Sequence, residues 1–351
     1  MKKIDSDDLE GGKPICQPSN DRPTCTICGA ESNARTIGFA DDHEYHTSPK
    51  LYEYKICSQC RSVAIDSKIT SEEILAAYPA AYYSYHLLEN YRQYRSSYWG
   101  QKYYNDVKSA LLKDIKNWAK ASNINYQDAR ILDYGAGDSF KLTLLEEMGL
   151  KSRNLVGFEP HSGGQDLGQN QFQMIRNSND LDFYQNHFDI IIASHVIEHL
   201  EDPKILFAHA KRALKRRGIL VIDMPTPRGW HFAVTKCRHW GGYHAPRHLN
   251  LLTAEAAIQF SRDSQFDLIT SEYIDDSWIM AQTVNSIIVR APSYIVPTAL
   301  ANAINAEKKE VPTLARSLIY GGFSFISKFI LTFGGKSSVA RLVVQKVADS
   351  D

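Results

Sequence analysis

The chain predicts an α/β fold in which a mostly parallel sheet is covered by helices on both faces, preceded by a small cysteine-bearing module and a helical cap. Three observations carry this. After Arg130, short apolar runs alternate with amphipathic segments of helical period. The first of these runs ends in a Gly-x-Gly turn, Gly135-Ala136-Gly137. Ahead of them stand two Cys-x-x-Cys pairs, Cys25/Cys28 and Cys57/Cys60, in a stretch with little apolar content.

Composition narrows the function classes. With 351 residues and 43% of them hydrophobic, the chain can bury a sizeable core, and 20 Gly with 13 Pro is ordinary usage that excludes collagen-like and disordered classes. Forty basic residues balance forty acidic ones, so no global positive field gathers nucleic acid, and no nucleic-acid partner is expected. Met1 to Gly12 is charged and polar, without the apolar segment of a secretory signal. Cysteines in such a chain point to metal binding in the cytoplasm before disulfides. The longest apolar stretch, Leu318 to Phe333, is interrupted by Gly321, Gly322, Ser324, Ser327 and Lys328, so no transmembrane helix is expected.

Along the chain, residues 1–20 read as a disordered leader and 21–68 as the cysteine module. Residues 69–121 form a tyrosine-rich helical cap: Ser71-Glu72-Glu73 has the look of a helix start, and Val107, Leu111, Ile115 and Trp118 recur at helical spacing. Residues 122–278 form the α/β core, with strands expected at Arg130–Asp133, Leu155–Phe158, Phe188–Ala193, Ile219–Asp223 and Asp267–Ile274. A helical insertion (279–335) and a final strand with its tail (336–351) complete the chain. In the insertion, Ile319, Phe323, Ile326, Ile330 and Phe333 mark an amphipathic helix for core packing, a homodimer contact or peripheral attachment at the inner membrane face.

The cysteines carry the first chemistry. Two thiolate pairs from separate turns can close a tetrahedral zinc site, and Gly29 after the first pair suits a zinc knuckle. Four thiolates leave no open position, so Zn2+ at Cys25, Cys28, Cys57 and Cys60 is structural. Such sites supply about 10–16 kcal/mol of apparent binding energy in isolated peptides, enough to fold a small module. The glycine turn carries the second. Gly135 and Gly137 permit a tight turn and close approach to a ligand, while Phe140 occupies the place where a nicotinamide-binding fingerprint needs a third glycine.

The segment Asp133-Tyr134-Gly135-Ala136-Gly137-Asp138-Ser139 resembles the first motif of the class I S-adenosylmethionine-dependent methyltransferases, with Ser139 in place of the last glycine. Phe188 to Pro203 and Ala213 to Asp223 resemble the fourth strand and the approach to the fifth in the same family. The resemblance implies a Rossmann-like seven-stranded sheet and S-adenosylmethionine as cofactor. It places Asp133, Gly135, Gly137 and Ser194 at the cofactor, Glu159 on the ribose diol, and Asn177 and Ser178 at the adenine, where a plain turn is the alternative. The resemblance places the second of His195 and His199 in helix packing, so both are read as structural, and no third metal ligand is apparent for them.

The knuckle, the cap and the core together resemble bacterial methyltransferases acting on nucleotide-linked or surface-polysaccharide sugars. That implies a base in the loop beyond the fifth strand, His248 first and His244 second; Tyr82 and Tyr83, ahead of the core, either close over the substrate or stack within the cap. Where those enzymes often have Glu-His, this chain has Arg247-His248. The same loop, from Pro225 to His248, is rich in Arg, His and Trp and suits a phosphate-bearing small molecule or glycan. A quinone-like or other small aromatic acceptor, or a non-catalytic zinc-bearing scaffold, are the alternatives.

Overall fold

A computed structural model describes residues 25–31, 34–121, 123–160, 172–235, 238–290 and 335–347, with isolated positions between 322 and 332. The expected leader, and Ile319, Phe323, Ile330 and Phe333 of the amphipathic stretch, lie outside the described residues. Ile326 is described and exposed.

In chain order, the N-terminal part contains β1 (Arg35–Ala40), β2 (Tyr52–Ile56), β3 (Val63–Ile65), α1 (Ser71–Ala76), α2 (Leu87–Tyr94) and α3 (Tyr98–Ala121). The core continues with β4 (Ile131–Tyr134), α4 (Phe140–Glu147), β5 (Leu155–Phe158), β6 (Gln173–Ile175), β7 (Phe188–Ser194), α5 (Lys204–Ala213) and β8 (Leu214–Pro225). Then come α6 (Trp230–Thr235), β9 (Asn250–Leu251), α7 (Ala254–Asp263), β10 (Phe266–Tyr273), α8 (Ser277–Arg290) and β11 (Val339–Lys346). The cap starts one residue earlier than its Ser-Glu-Glu signal: Thr70 is the N-cap and closes a capping box with Glu73.

Seven strands form the main sheet in the order β10-β11-β8-β7-β4-β5-β6. β4, β5, β6, β7 and β8 run parallel, and β11 is antiparallel to both β8 and β10. Near-continuous apolar runs explain the central position of β7 and β8, because a strand covered on both faces has no polar side to present. One face packs Leu132, Ile191, Leu220 and Leu342 with α5 and α7. The other packs Ile131, Ile190, Val221 and Val343 against Ile115 and Trp118 of α3. Chain order reverses between β4 and β7, which opens a crevice at their C-terminal ends, where open α/β sheets bind ligands.

The cysteine module departs from its expected isolation. Its sheet has the order β1-β2-β3-β9, so its last strand comes from the loop beyond β8. Tyr52, Tyr54 and Val63 are buried together with Trp240, Tyr243, Leu251 and Ile279, one shared core rather than a module held by metal alone. Tyr and short apolar residues alternating along β2 supply this core, in a stretch whose composition looked too polar for one. Among the described residues no helix is long and apolar enough to cross a membrane.

Candidate active site

The glycine turn sits at the C-terminal end of β4. Gly135 and Gly137 have φ of +85° and +50°, and Ser139 follows at +70°, so three residues adopt left-handed backbone within five positions. The amides of Gly135 and Ala136 donate to Phe158 O, and that of Gly137 donates to Glu159 Oε2 at 3.0 Å. Glu159, half-buried at the end of β5, is thereby aimed at the turn. The cap lies directly above: a Cβ on Gly137 would come 2.7 Å from Ser84 O.

Asp138 ties cap to turn, accepting from the amides of Leu88 at 2.5 Å and Phe140 at 3.2 Å. Burial pushes its carboxyl up to about 6, against those two amides. Asp133 is buried and held by Lys141 Nζ at 3.1 Å; burial raises its pKa although the lysine opposes this. Ser194 donates to Asp223 Oδ2 at 3.0 Å. Asn177 and Ser178 are exposed, and the Asn177 side chain accepts from Asn179 N as a turn residue does.

Around the far side of the turn the structure gathers what the sequence scatters. Val196, whose side chain meets Gly135, leads into a short 3-10 turn, Ile197–His199, and Leu249 N donates to Glu198 O at 2.8 Å. This brings His248 beside Glu198 and His199, with the His199 and His248 rings 4.7 Å apart. His244 Nδ1 lies 2.7 Å from Glu44 Oε1, and its Nε2 lies 3.4 Å from the Tyr82 hydroxyl. Tyr78 OH meets His199 Nδ1 at 2.9 Å. Tyr83 packs between His244 and Trp278 and is the half-buried member of the expected trio, while His244 and His248 are 1% and 2% exposed.

Burial dominates the electrostatics. It lowers His199 to about 4 and holds His244 and His248 well below the ordinary imidazole value, so all three are neutral. Burial likewise pushes Glu44 up to about 7, so the His244–Glu44 contact is a hydrogen bond between groups that both disfavour charge. His195, at φ +55°, is the exception: burial opposes its charge, but the Glu198 and Asp223 carboxylates prevail and raise it. The expected basic, aromatic surface is largely interior. Arg247 is 1% exposed and paired with Asp42, so its guanidinium is not available to a phosphate.

Glu44 and Glu198 carry no sequence signal for this site, and Tyr78 enters from the sequence only as part of the cap's aromatic run, as His199 does only as a structural residue. Each contacts a loop far away in sequence, so only topology brings them in.

The cysteines converge as two near-identical turns. Gly29 N donates to Cys25 O and Arg61 N to Cys57 O; Cys25 N donates to Ala30 O and Cys57 N to Ser62 O. Gly29 and Arg61 share left-handed backbone, at φ +70° and +60°. Cys25 and Cys60 Sγ are 4.0 Å apart, Cys28 and Cys57 Sγ 3.8 Å, and all four lie within 4.8 Å of one another. The edge of a ZnS4 tetrahedron with bonds of about 2.3 Å is about 3.8 Å, so the sulfurs fit the ion.

Residues 103–271 match the family model described as a methyltransferase domain. The chain carries a methyltransferase domain. The match runs from within α3 through β4 to β8 and into β10, so the methyltransferase is built on the strands that flank the crevice. A search of curated proteins finds no match. Among solved structures, a SAM-dependent methyltransferase from Archaeoglobus fulgidus is similar at 17% identity, covering 69% of this chain and 94% of that one, with a TM-score of 0.42. Phosphoethanolamine N-methyltransferase 2 of Haemonchus contortus, in complex with S-adenosyl-L-methionine, is similar at 14% identity, covering 91% and 70%, with a TM-score of 0.46.

Proposed function

We propose that this methyltransferase binds S-adenosylmethionine at Gly135, Gly137 and Glu159 and methylates a sugar, nucleotide-linked or polysaccharide. The observation that carries the reading is the polar wall beside the glycine turn, in which the hydroxyls of Tyr78 and Tyr82 are engaged by His199 and His244. Polar surroundings of this kind suit a polyhydroxylated acceptor, whereas a quinone-like acceptor calls for an apolar pocket. His244 is uncharged at rest, so its Nε2 can accept a proton, and Glu44 at Nδ1 offsets the charge that burial disfavours.

When bound, S-adenosylmethionine supplies an electrophilic methyl group on sulfonium sulfur. The chain's part is positioning, since displacement needs donor and acceptor in line at about 3 to 3.5 Å. Glu159 takes the ribose hydroxyls, and the turn with Ser84 above it excludes water. Tyr83, half-buried at the edge, hydrogen-bonds the acceptor. As the acceptor oxygen gains the methyl, its proton passes through Tyr82 OH to His244 Nε2, with Glu44 orienting the ring. His244 thus takes the base role for which the sequence favoured His248, because His248 Nε2 faces buried Glu198 at 3.8 Å instead of the tyrosines. The four cysteines hold a structural zinc in the same reading. The fit of their Sγ spacing and the paired turns support it.

Labelled methyl transfer from S-adenosylmethionine to a panel of nucleotide sugars and glycans, beside a panel of catechols and quinols, tests the acceptor. Transfer confined to the aromatic panel would overturn the sugar reading.

A further inference from the structure

We propose that Glu198, His199 and His248 form a second metal site, for a divalent first-row transition cation. One ligand atom from each residue lies within 4.8 Å of the others. The sequence analysis set a metal aside for lack of a third ligand; the fold supplies one, because β9 pairing carries the loop before it onto the turn that holds Glu198.

Glu198 is an acceptor with no donor. It is 1% exposed, and neither carboxylate oxygen has a hydrogen-bond partner. A buried acceptor left so costs about 1–3 kcal/mol, and more when charged. The nearest ring nitrogens are His195 Nδ1 at 3.4 Å, without hydrogen-bond geometry, and His248 Nε2 at 3.8 Å. His248 Nδ1 donates to Gly242 O at 2.7 Å, which leaves a lone pair on Nε2 facing the carboxylate. Lone pairs facing one another with no proton between them repel; a cation removes the repulsion. Arg247 O lies 3.1 Å from His199 Nδ1 and accepts its proton in the tautomer that frees Nε2. Imidazoles anchored through one nitrogen to a backbone carbonyl are the usual outer support of a metal site.

Two imidazoles and one carboxylate are a donor set that binds zinc with one position open. Bonds of about 2.1 Å place ligands about 3.4 Å apart, so ligand atoms within 4.8 Å of one another need close in by about 1.4 Å at most. An oxygen in the open position would lose its proton more readily. That this oxygen is the acceptor hydroxyl rests on the function proposed above; the metal site itself does not.

The test counts metal on the full-length, reduced protein after equilibration with excess zinc and desalting. The wild type should hold two equivalents, and Glu198→Gln and His248→Ala one each. A single equivalent in the wild type, or two in Glu198→Gln, overturns the site. Cobalt in place of zinc separates the two centres by spectrum: the thiolate charge-transfer band should persist in Glu198→Gln while the nitrogen- and oxygen-ligated band disappears. If that variant does not fold, titrating the wild type decides, because a second cobalt equivalent that adds no such band also overturns the proposal. S-adenosylmethionine affinity is measured alongside, so that its absence counts against the proposed cofactor and leaves the metal count intact.

Discussion

Arg247 and Asp42, 205 residues apart in sequence, form a bidentate ion pair, with Nη1–Oδ1 and Nη2–Oδ2 both at 3.1 Å and both side chains fully buried. The same guanidinium lies over the Tyr45 ring and donates from Nε to Ala77 O at 2.6 Å. One side chain therefore joins the cysteine module, the cap and the loop beyond β8. Burial works against the Asp42 charge, but Arg247 and Thr47 outweigh it and hold the carboxyl down at about 2.

Asp42→Ala leaves a buried guanidinium uncompensated and should cost about 3–5 kcal/mol, the range for breaking a buried pair. Urea denaturation of wild type and variant measures it. A loss below about 1 kcal/mol would show that the three parts do not depend on this contact.

The shared core predicts how loss of the proposed zinc acts. Chelation at the cysteine site, or Cys57→Ser, should lower the thermal midpoint of the whole chain in one cooperative transition, because Thr253 bonds Cys60 O and Ser62 Oγ while also capping α7. Scanning calorimetry that shows a separate module transition, with the core midpoint unchanged, would restore the picture of two independently built parts.

Asp138 gives a pH dependence. Its folded pKa of about 6 lies above the unfolded value near 3.8, so the folded state binds the extra proton between those values. Stability from this group is therefore present at low pH and lost as pH rises from about 4 through 6, at about 1.4 kcal/mol per pKa unit and a few kcal/mol at most. Denaturation of wild type and Asp138→Asn between pH 4.5 and 7 should show the wild type losing ground to the variant as pH rises. A constant difference, or one of opposite slope, would contradict the assignment.

What could be read from sequence follows from the range of each signal. β5 at Leu155–Phe158 is a local apolar run bounded by turn residues, and it lies where expected. The Gly-x-Gly turn was legible because left-handed backbone restricts residue choice at Gly135 and Gly137 themselves. β9 was not: Asn250 and Leu251 are two residues without periodicity, and they form a strand only because β3 presents an edge to them. Asp42 and Glu44 stand in a stretch with little apolar content, where nothing local marks them as the partners of Arg247 and His244. The Arg, His and Trp residues after β8 looked like surface because charge and aromatic character do not say which partners will bury them. Glu198 was hidden inside a helix-like motif, and its missing partners are visible only in three dimensions.

The glycine turn and Glu159 form the proposed methyl-donor site. Isothermal titration of wild type and Glu159→Ala with S-adenosylmethionine tests it most directly. Removing the carboxylate that faces Gly137 N should weaken binding by about 1.5–3 kcal/mol, roughly ten- to hundredfold, the range for hydrogen bonds to a charged group. Equal affinity in the two proteins, or no binding by the wild type, would contradict the account.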